Sequence, residues 1–87
     1  MEKKTFKIID ELGIHARPST IIVKTANKFE SNLEVEYGTK KTNLKSMIGV
    51  MGLGVVQYGE ITVIANGNDE KDAILGIEKI LKEHNLI

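Results

Sequence analysis

The sequence contains no cysteine and only two histidines. A disulfide framework and a thiolate metal site are therefore excluded, and a histidine-rich metal site is not expected. We predict neither a metal nor a cofactor. Aromatic residues are also few, with no tryptophan, and 12 basic side chains balance 12 acidic ones. The scarcity of aromatic residues and the neutral net charge both argue against binding to nucleic acid. The neutral net charge also removes the long-range attraction to an anionic membrane.

Long hydrophobic runs are missing as well. The first ten residues, MEKKTFKIID, are charged from the second position and contain no segment apolar enough for a signal peptide or a membrane span. Together with the lack of cysteine, this predicts a cytoplasmic protein that does not insert into a membrane. Its 87 residues suffice for a single domain, 1–87, but not for two domains that close a cleft around a substrate. Any chemistry must lie on the surface or be shared with a partner.

Hydrophobic periodicity predicts the order strand, helix, strand, strand, helix, strand, helix. The predicted strands are 4–9, 33–37, 40–43 and 61–65, and the first two predicted helices are 16–29 and 47–53. The last predicted helix has its first turn at 69–72 and its apolar stripe at 73–81. Gly38 and Thr39 suit a two-residue hairpin turn, which makes an antiparallel sheet the expectation. The fold class is therefore α+β: an open-faced two-layer sandwich. Three helices cover one face of a four-stranded antiparallel sheet, and the other face is polar.

The first and last helices carry further signals. Ala16 and Phe29 bound an apolar stripe that we expect to face the core. Acidic residues around Asp69 precede the stripe of the last helix, where the positive end of the helix dipole favours them. His84 lies near the end of that helix, where the negative end of the dipole suits it, and we expect no further role for it.

The most informative segment is GIHARPST at residues 13–20. Pro18 fits the first turn of the helix, so His15 lies where backbone N–H groups lack partners and the positive end of the dipole points outward. This end attracts an anion and favours the neutral imidazole, the form that can attack phosphorus. Arg17 can hold phosphate oxygens through two parallel hydrogen bonds, and Gly13 permits a close backbone approach. The combination predicts phosphoryl chemistry at His15.

Each of these residues has a simpler explanation on its own. His15 could be a capping or surface residue and Arg17 a solvated charge, and only their joint spacing with Gly13 and Pro18 favours the phosphoryl site. Ser46 suits the N-cap of the short helix, because its hydroxyl can accept a hydrogen bond from the first turn. From position alone, this capping role is the better interpretation of the serine.

The segment GIHARPS at 13–19 closely resembles the active-site motif of the HPr family, the histidine-containing phosphocarriers of the bacterial sugar phosphotransferase system. The segment LKSMIGVM at 44–51 resembles the family's second signature, around the regulatory serine of its Gram-positive members. The length and the separation of the two signatures also agree, so the resemblance covers essentially the whole chain. Two departures are visible: Met47 and Ile48 invert the more usual order, and Gly52 replaces a common serine. Both fall in the short helix and leave the two modifiable residues intact.

The resemblance implies a phosphorelay. His15 would accept a phosphoryl group on Nδ1 from Enzyme I, which phosphoenolpyruvate charges, and would pass it to the EIIA domains of sugar permeases, while Arg17 would steady it. Ser46 would be modified by HPr kinase/phosphorylase, and the product would bind a catabolite-control transcription regulator. The chain would be a monomeric carrier and not an enzyme. The expected partner-binding residues are Thr20, Lys24, Met47, Ile48 and Met51.

Other classes of function remain open at this point. A ligand-binding or nucleic-acid-binding α+β module would need a glycine-rich ligand loop, or aromatic residues on a basic sheet face. A purely regulatory relative would carry the serine without the relay histidine, and His15 counts against it. Autonomous catalysis is the weakest interpretation, because no second acid or base has a motif-like spacing to His15.

Overall fold

Four strands and three helices follow one another in the predicted order. The computed structural model describes every residue, 1–87. The strands are β1 (Glu2–Lys7), β2 (Asn32–Tyr37), β3 (Lys40–Asn43) and β4 (Glu60–Asn66). The helices are α1 (Ala16–Ala26), α2 (Met47–Gly52) and α3 (Glu70–Glu83). None of these helices combines the length and the apolar character that crossing a bilayer requires.

The strands form one antiparallel sheet in the order β1-β4-β2-β3. The predicted hairpin is present, with Tyr37 opposite Lys40 across the turn. Side chains alternate along each strand. Val63 of β4 is therefore buried in the core, while Thr5 and Thr62 pair on the open face with their hydroxyl oxygens 2.9 Å apart. The predicted α+β class, with a four-stranded antiparallel sheet and three helices, is confirmed.

One hydrophobic core lies between the sheet and the helices. Three strands and all three helices contribute to it, and its members include Phe6, Ile22, Ala26, Leu33, Val35, Val50, Ile61, Val63, Ile77 and Leu81. The prediction is wrong for Ala16, which is exposed. The buried residues of α1 are instead Pro18, Ser19, Ile22, Thr25 and Ala26. Because each residue of an α-helix turns by about 100°, Ala16 lies roughly 120° from the centre of this buried face.

Helix α1 ends three residues before the predicted boundary. After Ala26, the N–H groups of Lys28 and Phe29 donate to carbonyls three residues back, those of Thr25 and Ala26, at 3.0 and 3.2 Å. Bonds of this spacing tighten the chain into a turn and end the α-helix. Phe29 nevertheless packs against the core, half-buried, as its place in the apolar stripe predicts.

Asp69 connects the start of α3 to the segment between α1 and β2. Its carboxylate accepts hydrogen bonds from the hydroxyl of Ser31 and from the N–H groups of Glu30 and Ser31, the latter two at 2.9 Å each. The Ser31 hydroxyl, followed by the N–H of Glu30, lowers the pKa of Asp69 below its ordinary value. Asp69 is the N-cap residue of α3 but makes no side-chain bond to that helix. Its hydrogen bonds therefore run to a distant segment, while its position at the N-terminus of α3 agrees with the predicted acidic start of that helix.

We predict that Asp69→Asn destabilises the fold in a pH-dependent way. A carboxyl whose pKa is lowered by folding stabilises the native state at pH values above its pKa in the unfolded chain, about 3.9. This stabilisation is lost as the pH falls through the lower pKa of the folded state. The melting temperature of the variant should thus lie below that of the wild type at pH 7, and the gap should shrink below about pH 4. Asp72→Asn, which removes an exposed carboxylate of the same helix, is the control. Thermal unfolding between pH 2.5 and 7 measures both, and a gap that stays constant with pH would contradict the prediction.

Candidate functional site

His15 is the N-cap residue of α1 and has an extended backbone, with φ −92° and ψ −169°. No side chain caps this helix. The N–H groups of Ala16 and Arg17 therefore lack partners in the first turn, and Pro18 has no N–H. His15 is half-buried and Arg17 is exposed. An anion at His15 would meet two unpaired backbone donors, the positive end of the dipole and a guanidinium on the same turn.

Backbone contacts fix the loop that carries His15. The N–H of Ile14 donates to the carbonyl of Val55 at 3.1 Å. Gly13 has a φ of 64°, and a Cβ at this position would clash with the same carbonyl oxygen, so both conformation and space require glycine. On the other side, the fully buried hydroxyl of Ser19 donates to the carbonyl of His15 at 2.8 Å. The backbone of His15 is thus held by the loop before it and by the helix after it.

A shallow cavity of about 240 Å³ opens beside His15. Its lining residues are Asp10, His15, Arg17, Pro18, Ile21, His84 and Leu86. Two imidazoles and a carboxylate are among them, yet no group of three His, Cys, Asp or Glu side chains is arranged to hold a metal ion. The cavity is open and small, which suits a group carried on a side chain and not an enclosed substrate.

The sequence analysis names His15 and Arg17 for this site and misses other members of the lining. Asp10 has a local signal, because an Asp followed by a Gly three residues later is typical of a turn, and its carboxylate accepts from the N–H of Leu12 at 2.8 Å. Leu86 has no local signal, since only tertiary packing brings the end of the chain to His15. His84 also lines the cavity, a position that the sequence does not indicate.

Helix α2 begins with the predicted serine cap. The N–H of Gly49 donates to the hydroxyl of Ser46 at 3.1 Å, which confirms the capping role. Val50 of this helix is buried, whereas Ile48 and Met51 on the opposite side are 86% and 46% exposed. Two large apolar side chains of one short helix are therefore exposed to solvent.

The predicted partner-binding residues lie on the neighbouring helices α1 and α2 and are here called the α1–α2 patch: Thr20, Lys24, Met47, Ile48 and Met51. The hydroxyl of Thr20 donates to the carbonyl of Ala16 at 3.0 Å and lies 3.9 Å from the sulfur of Met47, where the two helices meet. Lys24 is exposed one turn further along α1. The α1–α2 patch therefore combines apolar side chains with a basic one.

The chain matches the family model described as the PTS HPr component phosphorylation site, over residues 2–83. The chain belongs to the HPr family. Among solved structures, it is similar to the histidine-containing phosphocarrier protein of a Mycoplasma, with 38% identity and a TM-score of 0.97 over 99% of this chain and 98% of that one. It is similar as well to an HPr of Thermoanaerobacter tengcongensis, with 40% identity and a TM-score of 0.91 over 95% and 93% of the two chains.

A third similar structure is that of a catabolite-repression protein. Crh, the catabolite-repression HPr of Bacillus subtilis, is 34% identical with a TM-score of 0.75, and 100% of both chains is covered. Crh forms a swapped dimer in its crystal structure. The expectation that the present HPr-family chain is a monomer therefore stays a prediction.

The two departures from the HPr signature have different structural settings. Met47 is half-buried against Thr20 and Ile48 is exposed, so the inverted order changes which side chain faces solvent at the centre of the α1–α2 patch. A Cβ on Gly52 would meet nothing within 4 Å, so the fold accepts a side chain there. A Cβ on Gly49 would clash with the hydroxyl oxygen of Thr42, which leaves no room for one.

These two glycines of α2 give a matched test of the packing. We predict that Gly52→Ala stabilises the fold by about 0.5–1 kcal/mol, because alanine restricts the unfolded chain and meets no neighbour in the folded one. Gly49→Ala should destabilise it, since Thr42 must be displaced. Urea unfolding of both variants measures the difference. Shifts of the same sign in the two variants would contradict the close contact between Gly49 and Thr42.

Proposed function

We propose that this chain is a phosphocarrier of the sugar phosphotransferase system. His15 accepts a phosphoryl group from phospho-Enzyme I and delivers it to the EIIA domains of sugar permeases. The observation that carries the proposal is the position of His15: it is the N-cap of a helix that no side chain caps, with Arg17 beside it and an open cavity in front. Membership of the HPr family supports the same role.

The transfer is a displacement at phosphorus. A neutral imidazole nitrogen, Nδ1 by resemblance to the family, forms the new P–N bond while the bond from phosphorus to the donor breaks and the donor keeps the electron pair. The other ring nitrogen keeps its proton. The phosphoryl oxygens then meet the N–H groups of Ala16 and Arg17 and the guanidinium of Arg17, which offset the added negative charge.

The chain does not act as an enzyme by itself in this proposal. The site offers one nucleophile and charge-stabilising groups, and its cavity is too open to exclude water. An open site suits a carrier, because the donor and the acceptor protein must each reach the same phosphorus atom. Their own residues then complete the transition state.

We predict that His15→Ala abolishes acid-labile phosphorylation by phosphoenolpyruvate and Enzyme I and leaves the fold intact, because His15 contributes no side chain to the core. Mass spectrometry measures the label, and circular dichroism checks the fold. His84→Gln is the matched variant, since the chain has only two histidines and only His15 lies at a helix N-terminus. If the label persisted in folded His15→Ala and disappeared in His84→Gln, the acceptor would be His84 and the prediction would be wrong.

The α1–α2 patch is the proposed docking surface for these partners. Its exposed Ile48 and Met51 provide apolar contact, and Met51 can adapt its shape to different proteins. Lys24 adds a positive charge. We therefore expect Enzyme I and the EIIA domains to present apolar and acidic surface.

Ser46 is the proposed regulatory residue at the border of this patch. Its hydroxyl already lies at the N-terminus of α2, an end that tolerates an anion, so a phosphate there can add charge without unfolding the helix. HPr kinase/phosphorylase is the proposed modifying enzyme, and a catabolite-control transcription regulator is the proposed partner of the product. The likeness to Crh, a catabolite-repression protein, supports this assignment.

We predict that Ser46→Asp raises the apparent Michaelis constant of Enzyme I for this chain by about 2- to 5-fold at low salt, the effect of one unfavourable surface charge. Added salt should partly relieve the increase, because it screens the repulsion. Ser46→Ala is the control, since it removes the cap without adding charge. Steady-state kinetics at two ionic strengths measure all three proteins. Equal constants for the three would leave Ser46 with its capping role alone.

A further inference from the structure

The end of helix α3 is held firmly against the loop that leads to His15. Asn85 has a φ of 57°, its N–H donates to the carbonyl of Lys82 at 3.1 Å, and the N–H of Leu86 donates to the carbonyl of Leu81 at 2.8 Å. These two bonds form a Schellman motif, which ends the helix and turns the chain. The carbonyl of Leu86 then accepts from the N–H of Ile9 at 2.7 Å. The geometry of this helix end is therefore fixed relative to the cavity beside His15.

His84 is the C-cap residue of α3 in this motif, and it lines the cavity together with His15. It is exposed, so its imidazole can exchange protons with solvent. An imidazole changes charge between about pH 5 and 8, and a cation interacts favourably with the C-terminal end of a helix. The position is thus suited to a cation that lines the same cavity as His15.

A cation at this position would offset the negative charges that surround the cavity after phosphorylation. A phosphoryl group on His15 brings up to about two negative charges next to the carboxylate of Asp10 and the negative end of α3. Arg17 is the other cationic side chain of the lining. On α3 itself, Lys82 is paired with Glu78 at 3.2 Å, and Glu83 adds a further negative charge near the helix end.

We propose that protonated His84 is a positioning residue of the phosphorelay: with Arg17, it stabilises the phosphoryl group carried on His15. The proposal rests on the proposed function, because it requires phosphorylation at His15. It makes the affinity of His15 for the phosphoryl group depend on the charge of a side chain that does not itself accept the group.

A competition between two proteins for one phosphoryl group tests this role. The wild type and His84→Gln are mixed in equal amounts with catalytic Enzyme I and a limiting quantity of phosphoenolpyruvate, and mass spectrometry measures how the label divides at equilibrium. Because both proteins draw on the same donor, the properties of Enzyme I cancel. We expect the wild type to be favoured roughly 2- to 5-fold at pH 6, as for one well-placed charge, and the ratio to approach 1 at pH 8.5.

Two further variants separate this effect from other causes. His84→Lys, whose charge persists at both pH values, should be favoured over His84→Gln at pH 8.5 as well as at pH 6. Lys79→Gln removes an exposed cation of α3 that does not line the cavity, and it should share the label equally with the wild type.

Equal division between wild type and His84→Gln at both pH values would overturn the proposal while leaving the phosphocarrier function intact. A preference against Lys79→Gln of the same size would overturn it too, because net charge alone would then explain the result. If the wild type takes no label at His15, both the phosphocarrier function and this proposal are wrong.

Discussion

The contact between Gly13 and Val55 is the constraint on which the candidate site depends. At this point the loop after β1 lies so close to the segment after α2 that no side chain fits at Gly13, and the N–H of Ile14 bonds to the carbonyl of Val55. The sheet, through β1 and β4, thereby fixes where α1 begins. His15 follows directly, as the residue with which the helix starts. A nucleophile at an uncapped helix N-terminus needs such support, because its backbone donors are useful only if they point to a defined place.

The two residues proposed to carry phosphate occupy equivalent positions in different helices. His15 is the N-cap of α1, and Ser46 is the N-cap of α2. Both ends attract an anion for the same physical reason, the unpaired N–H groups and the helix dipole. They differ in their caps: the hydroxyl of Ser46 already bonds to Gly49, whereas no side chain occupies the donors after His15. The first site is therefore open to a transferred group, and the second is a structural cap that a charge can modify without disrupting it.

Local pattern was sufficient for the order of the elements and for the placement of His15 at the start of a helix. Alternation in β2 and helical spacing in α3 reflect which face each element buries, and the cap at Ser46 involves residues only three positions apart. The remaining features depend on contacts between distant parts of the chain. Asp69 bonds to Ser31, 38 residues away, and Leu86, which bonds back to Ile9, lines the cavity of His15 together with His84. No periodicity encodes such pairs, since they result from the packing of α3 on the sheet.

The central claim is that the phosphoryl group on His15 is held by the first turn of α1. The most direct measurement is a comparison of backbone amide NMR spectra of the chain before and after phosphorylation by Enzyme I. We expect the largest amide proton shifts at Ala16 and Arg17, whose N–H groups gain an anionic acceptor, with the signals of the sheet nearly unchanged. Small shifts at these two amides, with the largest changes in α2 or on the open face of the sheet, would contradict the claim.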